Sequence, residues 1–229
     1  MTFRKLFLSA CIPVLVCLAS TTVHAAGFGI YGSFGGGNAD WSPDFSPTFK
    51  KRTEHLGAGL VFDSAPARDK LFNYQLNLGY DQFSNKNANG WGKADFEGFV
   101  ISNNFGFGGL ITPTTRLWFG PELRLEWADG SPSSYSAYNI RMWGLGIGPV
   151  LGINFNMGDR TTFFVKAGYQ YINYYGTGNG NYSHRTGSST TPYSRNSYDY
   201  DVNEKMFYLS IGYLLRTPGE RAPIAQTTP

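Results

Sequence analysis

The chain has 229 residues, of which 17% are aromatic and only 15% are charged, and 29 are glycines. Its formal net charge is only +3 and the bases form no tract or stripe, so a nucleic-acid partner is not expected. A chain of this length suits one all-β domain.

The first 25 residues have the pattern of a secretory signal peptide. Two basic residues precede an apolar run over Leu6–Ser20, and small residues follow as far as Ala25. A basic start, an apolar centre and a small-residue cleavage site are typical of export signals. Cleavage would remove both cysteines, Cys11 and Cys17, and would leave seventeen bases and sixteen acids. We therefore expect an exported, nearly neutral mature chain without a disulfide.

Eight segments of the mature chain alternate apolar and polar side chains, as β-strands do. In Phe72–Phe83, for example, the first nine residues alternate without a break, with aromatic and aliphatic side chains on one face and Asn, Gln and Gly on the other. Most segments reach the roughly 9–11 residues that a tilted strand needs to cross a bilayer. The predicted strands are Gly27–Gly37, His55–Asp63, Phe72–Phe83, Phe96–Ile111, Arg116–Ala128, Asn139–Asn156, Thr162–Tyr175 and Glu204–Arg216.

The connections alternate in length along the chain. Residues 64–70, 112–115 and 157–160 are short and contain Pro or Gly, whereas residues 38–54, 84–95, 129–138 and 176–203 are longer and polar. Short turns at one end and long loops at the other are typical of outer-membrane barrels. The sequence therefore predicts an all-β fold, an eight-stranded antiparallel up-and-down transmembrane β-barrel, in the outer membrane of a Gram-negative bacterium.

Aromatic residues on the apolar faces fall near the two ends of the predicted strands. Rings of this kind gather at both surfaces of a bilayer. We predict two aromatic girdles: Phe34, Tyr80, Trp127, Trp143, Tyr171 and Tyr175 near the long loops, and Phe62, Phe72, Phe107, Phe155, Phe163 and Tyr213 near the short turns. In this interpretation the apolar faces contact lipid, and the polar faces, such as that of Asn73–Asp81, line the interior.

The order of these features resembles the small eight-stranded outer-membrane barrels of the OmpA/OmpX type, over about residues 27–216. The final predicted strand, "YLSIGYLLR" (Tyr208–Arg216), is similar to their closing strand. The resemblance implies a signal peptide at 1–25, a barrel at 26–216 and a short periplasmic tail at 217–229. That tail is too short for a peptidoglycan-binding domain, and it continues past the point where many such barrels end on an aromatic residue.

The predicted interior contains charged residues. Glu122, Arg124 and Glu126 share the inward face of one strand, about 7 Å apart. Lys166 and Glu204 lie inward on other strands, and Asp81 is a further candidate. An eight-stranded barrel has little room beyond its side chains, so a general diffusion pore is not expected. Two interpretations stay open: an ion network that plugs and rigidifies the barrel, or a gate for protons or ions.

The sequence predicts no enzyme, cofactor or metal site. Ser183 and His184 adjoin in a loop rich in Ser, Thr and Gly, without the partners that a nucleophile needs. Asp199 and Asp201 flank Tyr200 without enough oxygen ligands for calcium.

Three functions remain open after these exclusions. They are a structural, membrane-stabilising barrel with a plugged polar lumen, a surface adhesin or binding protein acting through loop 176–203, and, less favoured, a soluble lipocalin-like barrel. The tyrosines and small polar residues of that loop suit recognition, but also a solvated cap. Expected partners are outer-membrane lipid and lipopolysaccharide, and the chain is expected to be a monomer.

Overall fold

The computed structural model describes residues 27–44, 47–67, 69–87, 93–132, 138–180, 183–186, 189–192 and 196–217. The proposed signal peptide and residues 218–229 lie outside these ranges. The described strands are β1 (Gly27–Pro43), β2 (Phe49–Asp63), β3 (Phe72–Asn87), β4 (Ala94–Thr112), β5 (Thr115–Pro132), β6 (Tyr138–Met157), β7 (Thr161–Gly180), β8 (Ser183–Thr186), β9 (Ser189–Pro192) and β10 (Asn196–Arg216). No helix within the described residues is long and apolar enough to span a bilayer.

Eight of these strands close into a barrel. Their order around the wall is β1-β10-β7-β6-β5-β4-β3-β2, and β1 pairs antiparallel with both β10 and β2. Closure pairs the backbone of every strand on both sides, so no exposed sheet edge remains in the wall. The predicted fold class, an eight-stranded antiparallel up-and-down barrel, is confirmed. The short strands β8 and β9 form a separate two-stranded sheet between β7 and β10.

The strands run further at their long-loop end than the alternation predicts. β1 continues to Pro43 and β2 begins at Phe49, so much of the predicted loop 38–54 is paired strand. Likewise β7 extends to Gly180 and β10 begins at Asn196, which shortens the predicted loop 176–203. The predicted boundaries of these loops are therefore wrong.

These boundaries differ because the strands extend into segments where the pattern is reversed, with apolar side chains inside the barrel and polar side chains outside. On β1, Phe34 is exposed on the outer wall, but higher up Ala39 and Trp41 are buried inside the barrel. On β10, Tyr200 and Val202 are buried in the same way, and they alternate with the exposed Asp199 and Asp201. This upper section therefore has an apolar interior and a polar exterior, as soluble β-proteins have.

At the opposite end of the barrel, the connection between β2 and β3 packs against side chains of the wall. Ala65 and Ala67 are buried there. The amide of Asn154 donates from Nδ2 to the carbonyl oxygen of Pro66 at 3.1 Å, and Arg116 donates from Nη2 to the carbonyl oxygen of Lys70 at 2.7 Å. Side chains of the barrel wall thus hold this connection in place.

Two prolines interrupt the wall. Pro121 on β5 lies opposite Pro149 on β6. Proline has no backbone N–H to donate to a neighbouring strand. The pairing of β4 with β5 skips Phe105 and Gly106, and that of β6 with β7 skips Gly148 and Pro149. The backbone ladder is therefore locally incomplete on both flanks of the proline pair.

Candidate functional site

Arg124 organises the charged centre of the lumen. Its Nε donates to Oε2 of Glu126 at 2.9 Å, and its Nη2 donates to Oδ2 of Asp81 on β3. Tyr174 on β7 donates its hydroxyl to the same Glu126 oxygen at 3.1 Å. All four side chains are buried. Inward alternation on β3, β5 and β7 brings these groups together, and Arg124 supplies the counter-charge that buried carboxylates require.

His55 joins the same cluster, although the sequence does not predict a role for it. Its Nδ1 lies 3.1 Å from Oδ2 of Asp81, and its Nε2 lies 2.9 Å from Oε1 of Glu204. Thr53 also donates to this Glu204 oxygen, at 2.5 Å. The alternation of β2 could have predicted its inward orientation, because His55 is separated by an even number of residues from the inward Gly57 and Gly59.

A second charged layer lies next to the first. Nζ of Lys166 on β7 is 3.5 Å from Oε2 of Glu122 on β5, and Tyr208 donates its hydroxyl to that same oxygen. The ammonium also lies 5.9 Å from the centre of the Tyr208 ring. The structure thus divides the predicted charge network: Arg124, Glu126 and Glu204 belong to one layer, and Glu122 and Lys166 to the other.

A small cavity lies between the two layers. Its volume is about 20 Å³, and its lining includes Ser33, Asn77, Asp81, Arg124 and Lys166. A cavity needs about 10–15 Å³ to hold one water molecule, so this one has room for one or two small species. Nothing of substrate size fits between the layers.

Above the charged layers, the lumen is apolar. Rings and aliphatic side chains of the upper section pack together as one buried cluster, which includes Trp41, Phe83, Phe96, Ile140, Met142, Ile172, Tyr200 and Val202. Phe83 stacks on Phe96 with ring centres 4.9 Å apart, and on His55 at 4.8 Å. The alternation predicts a polar interior throughout, whereas in the structure the upper lumen is apolar.

The outer wall carries the residues assigned to the aromatic girdles. Phe34, Tyr80, Trp127, Tyr171, Phe72, Phe107, Phe155 and Tyr213 are exposed, and Phe62, Trp143, Phe163 and Tyr175 are partly exposed. Four of them, Tyr80, Trp127, Trp143 and Tyr175, stand in direct register on neighbouring strands together with Phe99, which was not predicted as a girdle residue. We call these five residues the aromatic row.

Ion pairs lie on the outside just beyond the aromatic row. Lys86 pairs with Glu54 at 2.7 Å, and Arg141 pairs with Asp129 at 2.8 Å, in both cases with exposed side chains. The hydrogen bond from Lys86 is the main cause that lowers the pKa of Glu54 below its ordinary value. Inside the upper section, burial lowers the pKa of Lys51, whose ammonium lies 4.8 Å from the Trp41 ring centre.

The remaining candidates lie on β8 and β10. Asp199 and Asp201 lie on β10 on either side of the inward Tyr200, so their side chains point outward. Ser183 and His184 belong to β8, but their side chains lie outside the described part of the structure. The tyrosines at 182 and 193 in loop 176–203 also fall outside the described residues.

Comparison with known proteins identifies the fold. No protein-family model matches the sequence, and no curated protein matches it either. The barrel is similar to the solved structure of the outer-membrane protein OprG from Pseudomonas aeruginosa, with 16% identity, a TM-score of 0.50, and coverage of 84% of this chain and 96% of that one. This chain has the fold of a small outer-membrane β-barrel.

Two further solved barrels match at lower similarity. Neisserial surface protein A is 15% identical, with a TM-score of 0.37 and coverage of 82% of this chain and 97% of that one. Ail, the attachment invasion locus protein of Yersinia pestis, is 14% identical, with a TM-score of 0.35 and coverage of 82% and 98%.

Proposed function

We propose that this chain is an integral outer-membrane barrel with a structural, membrane-stabilising role and a closed lumen. The observation that carries the proposal is the filling of the lumen. The apolar cluster around Trp41 and Phe96 occupies its upper section, two ion-paired layers cross its middle, and the connection at Ala65–Ala67 packs at its lower end. A conducting or ligand-carrying barrel would need a continuous space that this arrangement does not leave.

The outer wall supports the location in a membrane. Ile30, Phe99 and Phe119 on three strands are exposed to 65%, 67% and 65%. A soluble protein rarely exposes a contiguous apolar surface of more than a few hundred Å². A lipid-facing wall, by contrast, requires apolar side chains on every strand, bounded by aromatic residues of the kind found in the aromatic row.

The direct test combines location with conductance. Membrane fractionation should recover the chain with the outer membrane, and its migration in detergent gels should change on heating. The purified barrel in planar lipid bilayers should show no steady ion current. Recovery as a soluble periplasmic protein would contradict the location, and steady single-channel conductance would contradict the closed lumen.

Surface binding is the second candidate function. β7 and β10 remain paired as far as Gly180 and Asn196, so they carry the β8–β9 sheet beyond the aromatic row. Exposed loops on a rigid scaffold are common sites of recognition. A partner bound by intact cells, and not by cells whose barrel lacks this sheet, would favour this function.

A lipocalin-like role fits less well, because the centre of the lumen is charged and its cavity is small.

A further inference from the structure

The seam of the barrel, where the first strand pairs with the last, is crossed by side-chain contacts. β1 lies between β2 and β10. Even so, Nε2 of His55 on β2 lies 2.9 Å from Oε1 of Glu204 on β10, and Thr53 on β2 donates to the same oxygen at 2.5 Å. All three side chains are buried. Two strands that do not pair with each other are therefore joined directly, over the inner face of the strand between them.

Small residues on β1 make this contact possible. The residues of β1 in register with Thr53, His55 and Glu204 have the smallest side chains: Gly37, Gly35 and Ala39. A Cβ at Gly37 would lie 1.8 Å from the backbone oxygen of Lys205, and one at Gly35 would lie 2.8 Å from that of Phe207. A side chain at either position would therefore push β10 away from β1. The glycines keep the seam closed tightly and leave its inner face free for the contact between β2 and β10.

Both imidazole nitrogens of His55 face oxygens that already act as acceptors. Nδ1 lies 3.1 Å from Oδ2 of Asp81, which accepts from Arg124. Nε2 faces the Glu204 oxygen that accepts from Thr53. A histidine donates from both ring nitrogens only as the imidazolium. In the described part of the chain, His55 is also the only base that pairs with Glu204, and a buried carboxylate requires a counter-charge.

The groups around this contact favour a positive charge on His55. Other titratable side chains of the same layer come from β3, β5 and β7: Asp81, Arg124, Glu126 and Tyr174. Arg124 forms its ion pairs with two of these carboxylates, so Glu204 is left to His55. Phe83 stacks on the imidazole ring with ring centres 4.8 Å apart, and an aromatic face attracts a cation.

We propose that His55 is held as an imidazolium and locks the seam of the barrel by joining β2 to β10 across β1. His55 and Glu204 are 149 positions apart in the sequence. Contacts between such distant residues form late in folding, because the intervening chain must first be ordered. The lock therefore slows reopening of the seam rather than guiding its formation. It holds the wall together whether or not the lumen conducts, so it does not depend on the function proposed above.

Nuclear magnetic resonance tests the charge of His55. His184→Asn leaves His55 as the only histidine after residue 25. An ordinary imidazole has a pKa of about 6.5, so it is neutral at about pH 8. In the isotope-labelled barrel, refolded in detergent at that pH, we expect both ring nitrogens of His55 to show the chemical shifts of protonated nitrogens. One protonated and one unprotonated nitrogen would overturn the proposal.

Hydrogen exchange tests whether the contact locks the seam. Glu204→Gln keeps the shape of the side chain but removes its charge. We expect the amides of β1 to exchange about a hundredfold faster in this variant, because the buried imidazolium loses a counter-charge. Amides of β5, which lies opposite β1 in the wall, should change much less. Equal acceleration in β1 and β5 would indicate a general loss of stability and would overturn the proposal, as would unchanged exchange in β1.

Tyr174→Phe is the matched control. It removes one buried hydrogen bond, from the Tyr174 hydroxyl to Oε2 of Glu126 at 3.1 Å, which links β7 to β5 and does not cross β1. This variant should not accelerate exchange in β1 more than in β5.

A milder variant covers the case in which Glu204→Gln does not refold. Thr53→Val removes only the hydroxyl that donates to Glu204. It should accelerate exchange in β1 more than in β5, by a smaller factor than Glu204→Gln. Equal exchange in the two strands would overturn the lock here as well. Conductance tests the closed lumen and exchange in β1 tests the lock, so either proposal can fail alone.

Discussion

Arg124 and Glu126 lie two residues apart on β5, and the Nε of Arg124 donates to Oε2 of Glu126 at 2.9 Å inside the barrel. The same guanidinium also pairs with Asp81 on β3, so Arg124 links β5 to β3 and neutralises a carboxylate on each strand. Removing one member of a buried ion pair leaves its partner charged and desolvated. Arg124 is therefore the residue whose loss should most disturb the lumen.

We expect Arg124→Ala to lower the free energy of unfolding by about 3–5 kcal/mol. Urea titration of the barrel in detergent, followed by heat-modifiable migration, measures this change. Arg141→Ala is the matched control, because it removes the ion pair with Asp129 on the outside, where solvent screens the charges. That variant should unfold almost as the wild type does. Equal effects of the two substitutions would show that Arg124 is in contact with water.

Glycines allow rings to fill the lower lumen. A Cβ at Gly152 on β6 would overlap the ring of Trp118, which is fully buried on β5. Gly152→Ala should therefore destabilise the barrel by about 1–3 kcal/mol through overpacking. Gly32→Ala is the control, because the nearest atom to a Cβ there is 3.9 Å away. We expect Gly32→Ala to be neutral or slightly stabilising in the same titration. A stable Gly152→Ala barrel would mean that Trp118 can move aside.

The strand segments between the two aromatic girdles could be predicted from the sequence, because apolar and polar residues alternate in them strongly and continuously. Phe72–Tyr80 shows it without interruption, and all eight predicted strands lie within strands of the barrel wall. The upper section could not be predicted in this way. Ala39 and Trp41 point inward where the pattern had placed polar residues inside, so the continuation of β1 reads as a loop.

The sequence predicts which side chains of the candidate site point into the barrel, but not which of them are in contact. Parity places Glu122, Arg124 and Glu126 inside, yet it gives no angular position around the barrel. Which residues meet depends on the register between strands, and that register brings Asp81 rather than Glu122 to Arg124. His55 had the correct parity, but its contacts come from β3 and β10, which are distant in sequence.

The β8–β9 sheet should be dispensable for folding. Gly180 pairs with Asn196, so a short turn replacing residues 181–195 would join strands that already lie side by side. We expect this variant to insert and to show heat-modifiable migration as the wild type does, because exposed loop tips tolerate deletion. We also expect the binding properties of the cell surface to be unchanged, as the structural function requires. A binding activity lost from cells that still carry the folded variant would instead support the recognition function.

Introducing a charged residue on the outer wall tests whether that wall is in contact with lipid or with water. Leu78 and Gln82 lie on β3, both face outward, and they differ in height: Leu78 is paired with Leu60 and Ile101 below the aromatic row, whereas Gln82 is paired with Glu97 above it. Leu78→Arg should destabilise the barrel in lipid more than Gln82→Arg, because position 78 lies between the two girdles, where arginine loses part of its hydration, whereas Gln82→Arg should cost about 0–1 kcal/mol. Refolding both variants into phospholipid vesicles over a urea series measures the difference. If this wall faces water, arginine at position 78 would remain hydrated, and the two variants would unfold at the same urea concentration.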